Sequence, residues 1–124
     1  MKKILVVDDE LPIRKLLYEA LTGKGYQVSS ASSGEKAIVL LKKQRPDLII
    51  LDIGMPGMSG IETLREIRSI DNKVDVVMMS GVATDEMERE AREIGVSDFL
   101  FKGLAVDRFI KVVAKLLDGK GADA

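Results

Sequence analysis

Hydrophobic positions along this chain follow two rhythms. Short unbroken apolar runs end abruptly at polar residues: Ile4-Leu5-Val6-Val7 runs into Asp8-Asp9-Glu10, Leu48-Ile49-Ile50-Leu51 into Asp52, Val76-Val77-Met78-Met79 into Ser80-Gly81, and Phe99-Leu100-Phe101 into Lys102. Each run is too short for a free-standing helix and too continuous for a strand with one wet face. They read as strands covered on both sides, as in a parallel sheet. Between them the apolar residues recur at helical spacing. Ile13, Leu16, Leu17, Ala20 and Leu21 mark a helix over Leu11–Leu21, with Pro12 near its start, where a missing N–H does no harm, and Gly23 and Gly25 to stop it. Tyr26–Ala31 reads as a further strand, and Ser33-Gly34 opens a helix over Glu35–Lys43 that closes before Arg45-Pro46. Asp47–Leu51 is the third strand, and Ser59 and Glu62 have capping-box spacing ahead of a helix reaching about Ser69. Val74–Met79 is the fourth strand; Thr84–Ile94 is a helix with Met87, Ala91 and Ile94 on one stripe; Val106, Phe109, Ile110, Val113, Leu116 and Leu117 define the last helix.

Five strands alternating with five helices predict an α/β sandwich, doubly wound, with right-handed crossovers. A length of 124 residues suits one such domain. Residues 1–118 are expected to form it. The small, polar 119–124 stretch is expected to fray, or to be the stump of a linker. No internal linker, repeat or low-complexity segment interrupts the pattern.

Composition narrows the chemistry. The formal net charge is −1 with no Lys/Arg cluster, which argues against direct nucleic-acid binding. No cysteine is present, so disulfide and thiol chemistry are excluded. No histidine is present either, which removes His-based acid–base catalysis, a His nucleophile and His metal ligation. Lys2-Lys3 precede an apolar stretch that Asp8, Asp9 and Glu10 cut too short for a signal peptide, and nothing approaches a membrane-spanning length. A cytoplasmic location is expected.

A parallel sheet sends its strand ends to one edge, where open α/β sheets bind ligands. Asp8, Asp9, Asp52, Ser80 and Lys102 should therefore meet. Three convergent carboxylates repel one another unless a cation lies among them. Oxygen-only ligation favours a hard ion, and few protein ligands with room for water and phosphate oxygens suits Mg²⁺ better than Ca²⁺. A carboxylate can accept a phosphoryl group, so Asp52 becomes a candidate acceptor, Lys102 a fixed positive charge for a phosphoryl oxygen, and the Ser80 hydroxyl a donor to another.

These residues resemble the receiver domain of two-component response regulators. The resemblance rests on Asp8-Asp9, the stretch from Asp52 through Ile53, Gly54, Met55, Pro56, Gly57, Met58 and Ser59 to Gly60, Ser80-Gly81 and Lys102, in that order and covering essentially the whole chain. It implies a flavodoxin-like sheet in the order 2-1-3-4-5, with Asp52 as phosphoacceptor. It further implies that Asp9 and Asp52 ligate Mg²⁺ directly, Asp8 mainly through a bound water, and Gly54 through its backbone carbonyl. Ser80 matches the family's switch hydroxyl and Phe99 its switch ring, and the fourth helix, fifth strand and fifth helix match the face that dimerises or grips a partner. Implied partners are a sensor histidine kinase or phosphotransfer protein upstream, and a downstream protein or fused output domain. The domain would phosphorylate and dephosphorylate itself without being an enzyme in the ordinary sense.

The pattern is broken at Gly103, where the family usually has proline after a cis bond. A cis bond to a non-proline residue costs about 2.5 to 4 kcal/mol. A trans Lys102–Gly103 peptide and a more mobile loop are therefore expected. Gly54 and Val82 stand where side chains commonly line the route of attacking water, which implies an unusual phosphoryl lifetime. Plainer readings exist: Asp8, Asp9 and Glu10 as the acidic first turn of a helix, Met55-Pro56-Gly57 as a turn, Met78-Met79 as core filler, Phe99 and Phe101 both as core, and Asp85-Glu86-Met87-Glu88 as a solvated helix face. A haloacid-dehalogenase-type enzyme would need an Asp-x-Asp nucleophile motif, and a flavodoxin-like carrier a glycine- and hydroxyl-rich loop after the first strand; neither is present. The remaining alternative is a receiver-like interaction module that does not switch.

Overall fold

A computed structural model describes residues 1–55, 57–81, 84–103 and 105–122, with 119–122 by backbone alone. Pro56 of the expected turn, Val82 of the expected water route and the last two residues of the expected tail lie outside it. The elements are β1 (Lys3–Val7), α1 (Leu11–Thr22), β2 (Gln27–Ala31), α2 (Gly34–Gln44), β3 (Leu48–Asp52), α3 (Gly60–Ile70), β4 (Asp75–Ser80), α4 (Asp85–Ile94), β5 (Asp98–Phe101) and α5 (Val106–Ala122). All neighbouring strands pair in parallel, in the order β2-β1-β3-β4-β5. Strand order reverses between β1 and β3, and the crevice beyond their carboxyl ends is where the acidic residues lie.

Alternate residues of the central strands supply two cores. Leu5, Val7, Ile49, Leu51, Val76 and Met78 pack with Ala37, Leu41, Leu64, Ile67 and Ala91 of α2, α3 and α4. Ile4, Val6, Leu48, Ile50, Val77 and Met79 pack on the other face with Leu17 and Leu21 of α1 and Phe109, Val113 and Leu117 of α5. Burying a side chain of this size contributes about 1.5–3 kcal/mol. These strands are thus pinned from both sides, which fixes the acids at their ends.

The caps expected at Ser33 and Ser59 form, and Thr84, expected inside the fourth helix, caps it instead; each accepts a hydrogen bond from the backbone N–H three residues on. Arg45 ends α2 in a left-handed conformation, φ 51°, with its N–H donating to the Leu41 carbonyl, and proline follows where the helix cannot continue. Two of the plainer readings and one expectation are corrected. Asp8, Asp9 and Glu10 are not a first helical turn: α1 begins at Leu11, with Glu10 at the N-cap position and no side-chain capping bond. Phe101 is not core, being 58% exposed at the end of the edge strand β5. For the same reason the Phe99–Phe101 run is not covered on both faces. α5 runs to Ala122, more than one turn beyond its last core residue, since helical hydrogen bonds are local and need no apolar partner to continue.

Candidate functional site

Strand register brings the site together. Val7 is paired with Leu51, so the next residues, Asp8 and Asp52, leave adjacent strands side by side. Asp52 is paired with Met79 and Ser80 with Phe101, which places Ser80 and Lys102 on the neighbouring strand ends. The Lys102 N–H donates to the Ser80 carbonyl at 2.8 Å, fixing the start of that lysine. Asp9, Glu10, Asp52, Gly54, Ser80, Gly81 and Lys102 line a cleft of about 310 Å³. A roomier hollow of about 480 Å³ along α4 carries only its own charged side chains.

Asp8 is fully buried behind the cleft; its Oδ1 accepts from the Glu10 N–H at 2.8 Å, and its Oδ2 faces Lys102 Nζ at 3.0 Å. Asp52 is nearly as buried, with Oδ1 accepting from the Gly54 N–H at 3.1 Å and Oδ2 from Lys102 Nζ at 3.2 Å. Asp9 is exposed. Burial raises the Asp8 carboxyl above the ordinary range, and the neighbouring Asp52 charge adds to this; the Glu10 N–H and Lys102 offset only part of it. For Lys102, burial alone would favour the neutral amine, but hydrogen bonds to Glu10, Asp8 and Asp52 more than reverse this and raise it above the usual lysine value. Lys102 is therefore charged at neutral pH.

Each of Asp8, Asp9 and Asp52 offers a carboxylate oxygen, all within 4.8 Å of one another. Octahedral Mg²⁺ with bonds of 2.0–2.1 Å places neighbouring ligand oxygens ~3 Å apart and opposite ones ~4 Å apart. An all-oxygen donor set of this span, with one acid held costly in its ionised form, fits such an ion. The Ser80 hydroxyl is buried at the cleft and finds no hydrogen-bond partner among the described residues. It is a donor awaiting an acceptor.

The expected residues separate in one respect. Asp9, Asp52, Gly54, Ser80 and Lys102 share the cleft with Asp8 behind it, whereas Phe99 is half-buried against the α2–α4 core. Phe99 lies opposite Met78, two residues before Ser80 on the same face of the sheet, making it a diagonal neighbour of the hydroxyl. No cis peptide bond occurs among the described residues, so the Lys102–Gly103 peptide is trans, as expected. Sequence reasoning gave Glu10 no part in the site, yet its Oε2 lies 2.6 Å from Lys102 Nζ. The available signal was its place directly after the acid pair.

Residues 4–114 match the family model described as the response regulator receiver domain. The chain is 38% identical over 116 residues to the sporulation initiation phosphotransferase F of Bacillus subtilis, covering 94% of each. It is 33% identical over 117 residues to the regulatory protein AtoC of Escherichia coli, covering 94% of this chain and 25% of that one. Among solved structures, the Vibrio cholerae chemotaxis protein CheY4 superposes with a TM-score of 0.89 at 29% identity, covering 94% of this chain and 98% of the other.

Proposed function

Because the chain belongs to the response regulator receiver family, whose members are signalling proteins rather than ordinary enzymes, we propose that it is a phosphorylation-driven switch whose phosphoacceptor is Asp52. The observation that carries this reading is the convergence of one near-buried carboxylate, two further acids and the Lys102 ammonium at a single cleft. An Asp52 carboxylate oxygen attacks the phosphorus of a donor; the new O–P bond forms as the donor's bond to phosphorus breaks, and the leaving group keeps that electron pair. Lys102 meets the charge of a transferred phosphoryl oxygen, and the Ser80 hydroxyl and cleft-facing N–H groups donate to the others. Asp8, Asp9 and Asp52, with the Gly54 carbonyl, would hold Mg²⁺, Asp9 and Asp52 directly and Asp8 through water. When bound, that ion supplies the positive charge that lets an anionic donor approach the acids.

Switching follows from the position of Ser80. Once a phosphoryl oxygen accepts its hydrogen bond, the hydroxyl is drawn toward Asp52, and the Phe99 ring turns into the space it leaves. The α4–β5–α5 face then changes, to grip a partner, a fused output domain or a second copy. The partnerless, buried Ser80 hydroxyl favours this over a non-switching interaction module. A relative named as a phosphotransferase supports a sensor histidine kinase or phosphotransfer protein as donor, and the share of AtoC that this chain spans supports control of a fused output domain in such relatives. The test is chemical mapping. After incubation with acetyl phosphate and Mg²⁺, borohydride reduction of the acyl phosphate should convert residue 52, and no other acid, to homoserine; conversion elsewhere would overturn the assignment.

A further inference from the structure

Gly103 stands where its family usually has proline, and its backbone does not explain the choice. The glycines with positive φ are Gly25, Gly57 and Gly95, and Gly103 is not among them. Space does explain it. A methyl group on Gly103 would stand 2.5 Å from Cε2 of Phe101 and 3.2 Å from Cδ2 and Cζ, so the ring occupies the place of a side chain. The ring is 58% exposed, yet it lies across the backbone two residues on. Between the two residues is Lys102.

We infer that Phe101 is a positioning residue for Lys102: its ring, seated on Gly103, holds the peptide that follows the lysine and so aims the ammonium at Asp52. On the N-terminal side Lys102 is tied by its N–H to the Ser80 carbonyl, and its stem passes Gly81, where a methyl would lie 3.9 Å from Cδ. On the C-terminal side the ring–glycine packing supplies the corresponding hold. A flexible four-carbon stem reaching three carboxylates needs its base fixed at both ends. In this chain Phe101 and Gly103 together do what a rigid imide bond does in its relatives. The inference rests on Asp52 being the phosphoacceptor.

The test is the rate of phosphorylation of the full chain by acetyl phosphate, read by intact mass across donor and Mg²⁺ concentrations. Phe101→Ala and Gly103→Ala should each lower the maximal rate about five- to tenfold, a fraction of the ~100-fold that a displacement of ~1 Å can cost. Mg²⁺ affinity should not weaken, since neither residue touches the acids. The double variant should be no slower than the slower single one, because both changes break one contact. Phe101→Tyr, which keeps the ring, should match wild type, and Phe101→Leu should not, which decides the matter if Gly103→Ala fails to fold. Multiplying losses in the double variant, or an unimpaired Phe101→Ala, would overturn the inference. A wild-type protein that takes no label would instead overturn the Asp52 reading, and this inference with it.

Discussion

Lys102 has three N–H donors, and three carboxylates face them: Glu10 at 2.6 Å, Asp8 at 3.0 Å and Asp52 at 3.2 Å. The shortest contact is not the strongest. The Glu10 side chain is 57% exposed, so water screens it, and Glu10→Gln should change stability by no more than about 1 kcal/mol in urea denaturation. Asp8 is different, because its folded-state carboxyl titrates above its unfolded value of 3.8. Between those two pH values the folded protein holds more protons than the unfolded one, so stability without metal falls as pH rises through that window. Asp8→Asn should therefore melt no lower than wild type without Mg²⁺, yet lose the rise in melting temperature that Mg²⁺ gives the wild type. That rise should also shrink as pH falls through the Asp8 titration. The Lys102 pairing has the same sign in a more alkaline window: it is fully present below the unfolded value of 10.5 and is lost only as pH climbs through the higher folded one. At Gly60, a methyl would run into the Ile53 Cα and stand 2.5 Å from the Asp52 carbonyl oxygen. Gly60→Ala should cost about 1–3 kcal/mol of stability and disturb the end of β3 at Asp52.

Among elements, the end of the sheet away from the site has its own clamp. Arg68 of α3 donates from Nε to the Gly95 carbonyl at 2.9 Å and from one terminal nitrogen to the Val74 carbonyl at 2.7 Å and the Asp71 carbonyl at 3.3 Å. It joins the end of α3, the start of β4 and the end of α4. Removing it would leave half-buried carbonyls without a charged donor, so Arg68→Met should lower stability by about 1.5–3 kcal/mol while leaving the Mg²⁺-dependent melting shift unchanged. The element level is also where sequence reading succeeded and failed for definable reasons. β1, β3 and β4 are legible because both their faces are buried, leaving no polar residue inside each run. Two helix starts are legible because Ser33 and Ser59 are chemically suited to cap. The acids, Ser80 and Lys102 are legible because a parallel sheet turns separate strand ends into one place. Phe101 is not, since an aromatic ring at the end of an edge strand has the same spelling as core. Glu10 is not, because an exposed carboxylate carries no periodicity and only the fold reveals its distance to Lys102.

For the whole molecule, the division of labour follows from the sheet. Two helices on one face and three on the other bury the strands, and no described helix is long and apolar enough to cross a membrane. The rigid part ends where β1, β3, β4 and β5 end, and the charged groups stand there. Moving such a domain from 1:99 to 99:1 between two states requires about 5.5 kcal/mol of differential stabilisation. One phosphoryl group held by Lys102, Ser80 and a cation among the acids would be a concentrated source of it. If this is the mechanism, phosphorylation should change the amide signals of Ser80 and Phe99, and of α4 and α5, while leaving those of β2 and α2 in place, as an NMR comparison would read.

The proposed switch depends on one covalent event. The most direct measurement is intact mass after incubation with acetyl phosphate, with and without Mg²⁺, for wild type and for Asp52→Asn. The wild type should gain the mass of one phosphoryl group, only with Mg²⁺, and the variant none; no added mass on a folded wild type with Mg²⁺ bound, or equal labelling of Asp52→Asn, would overturn the assignment of Asp52 as phosphoacceptor.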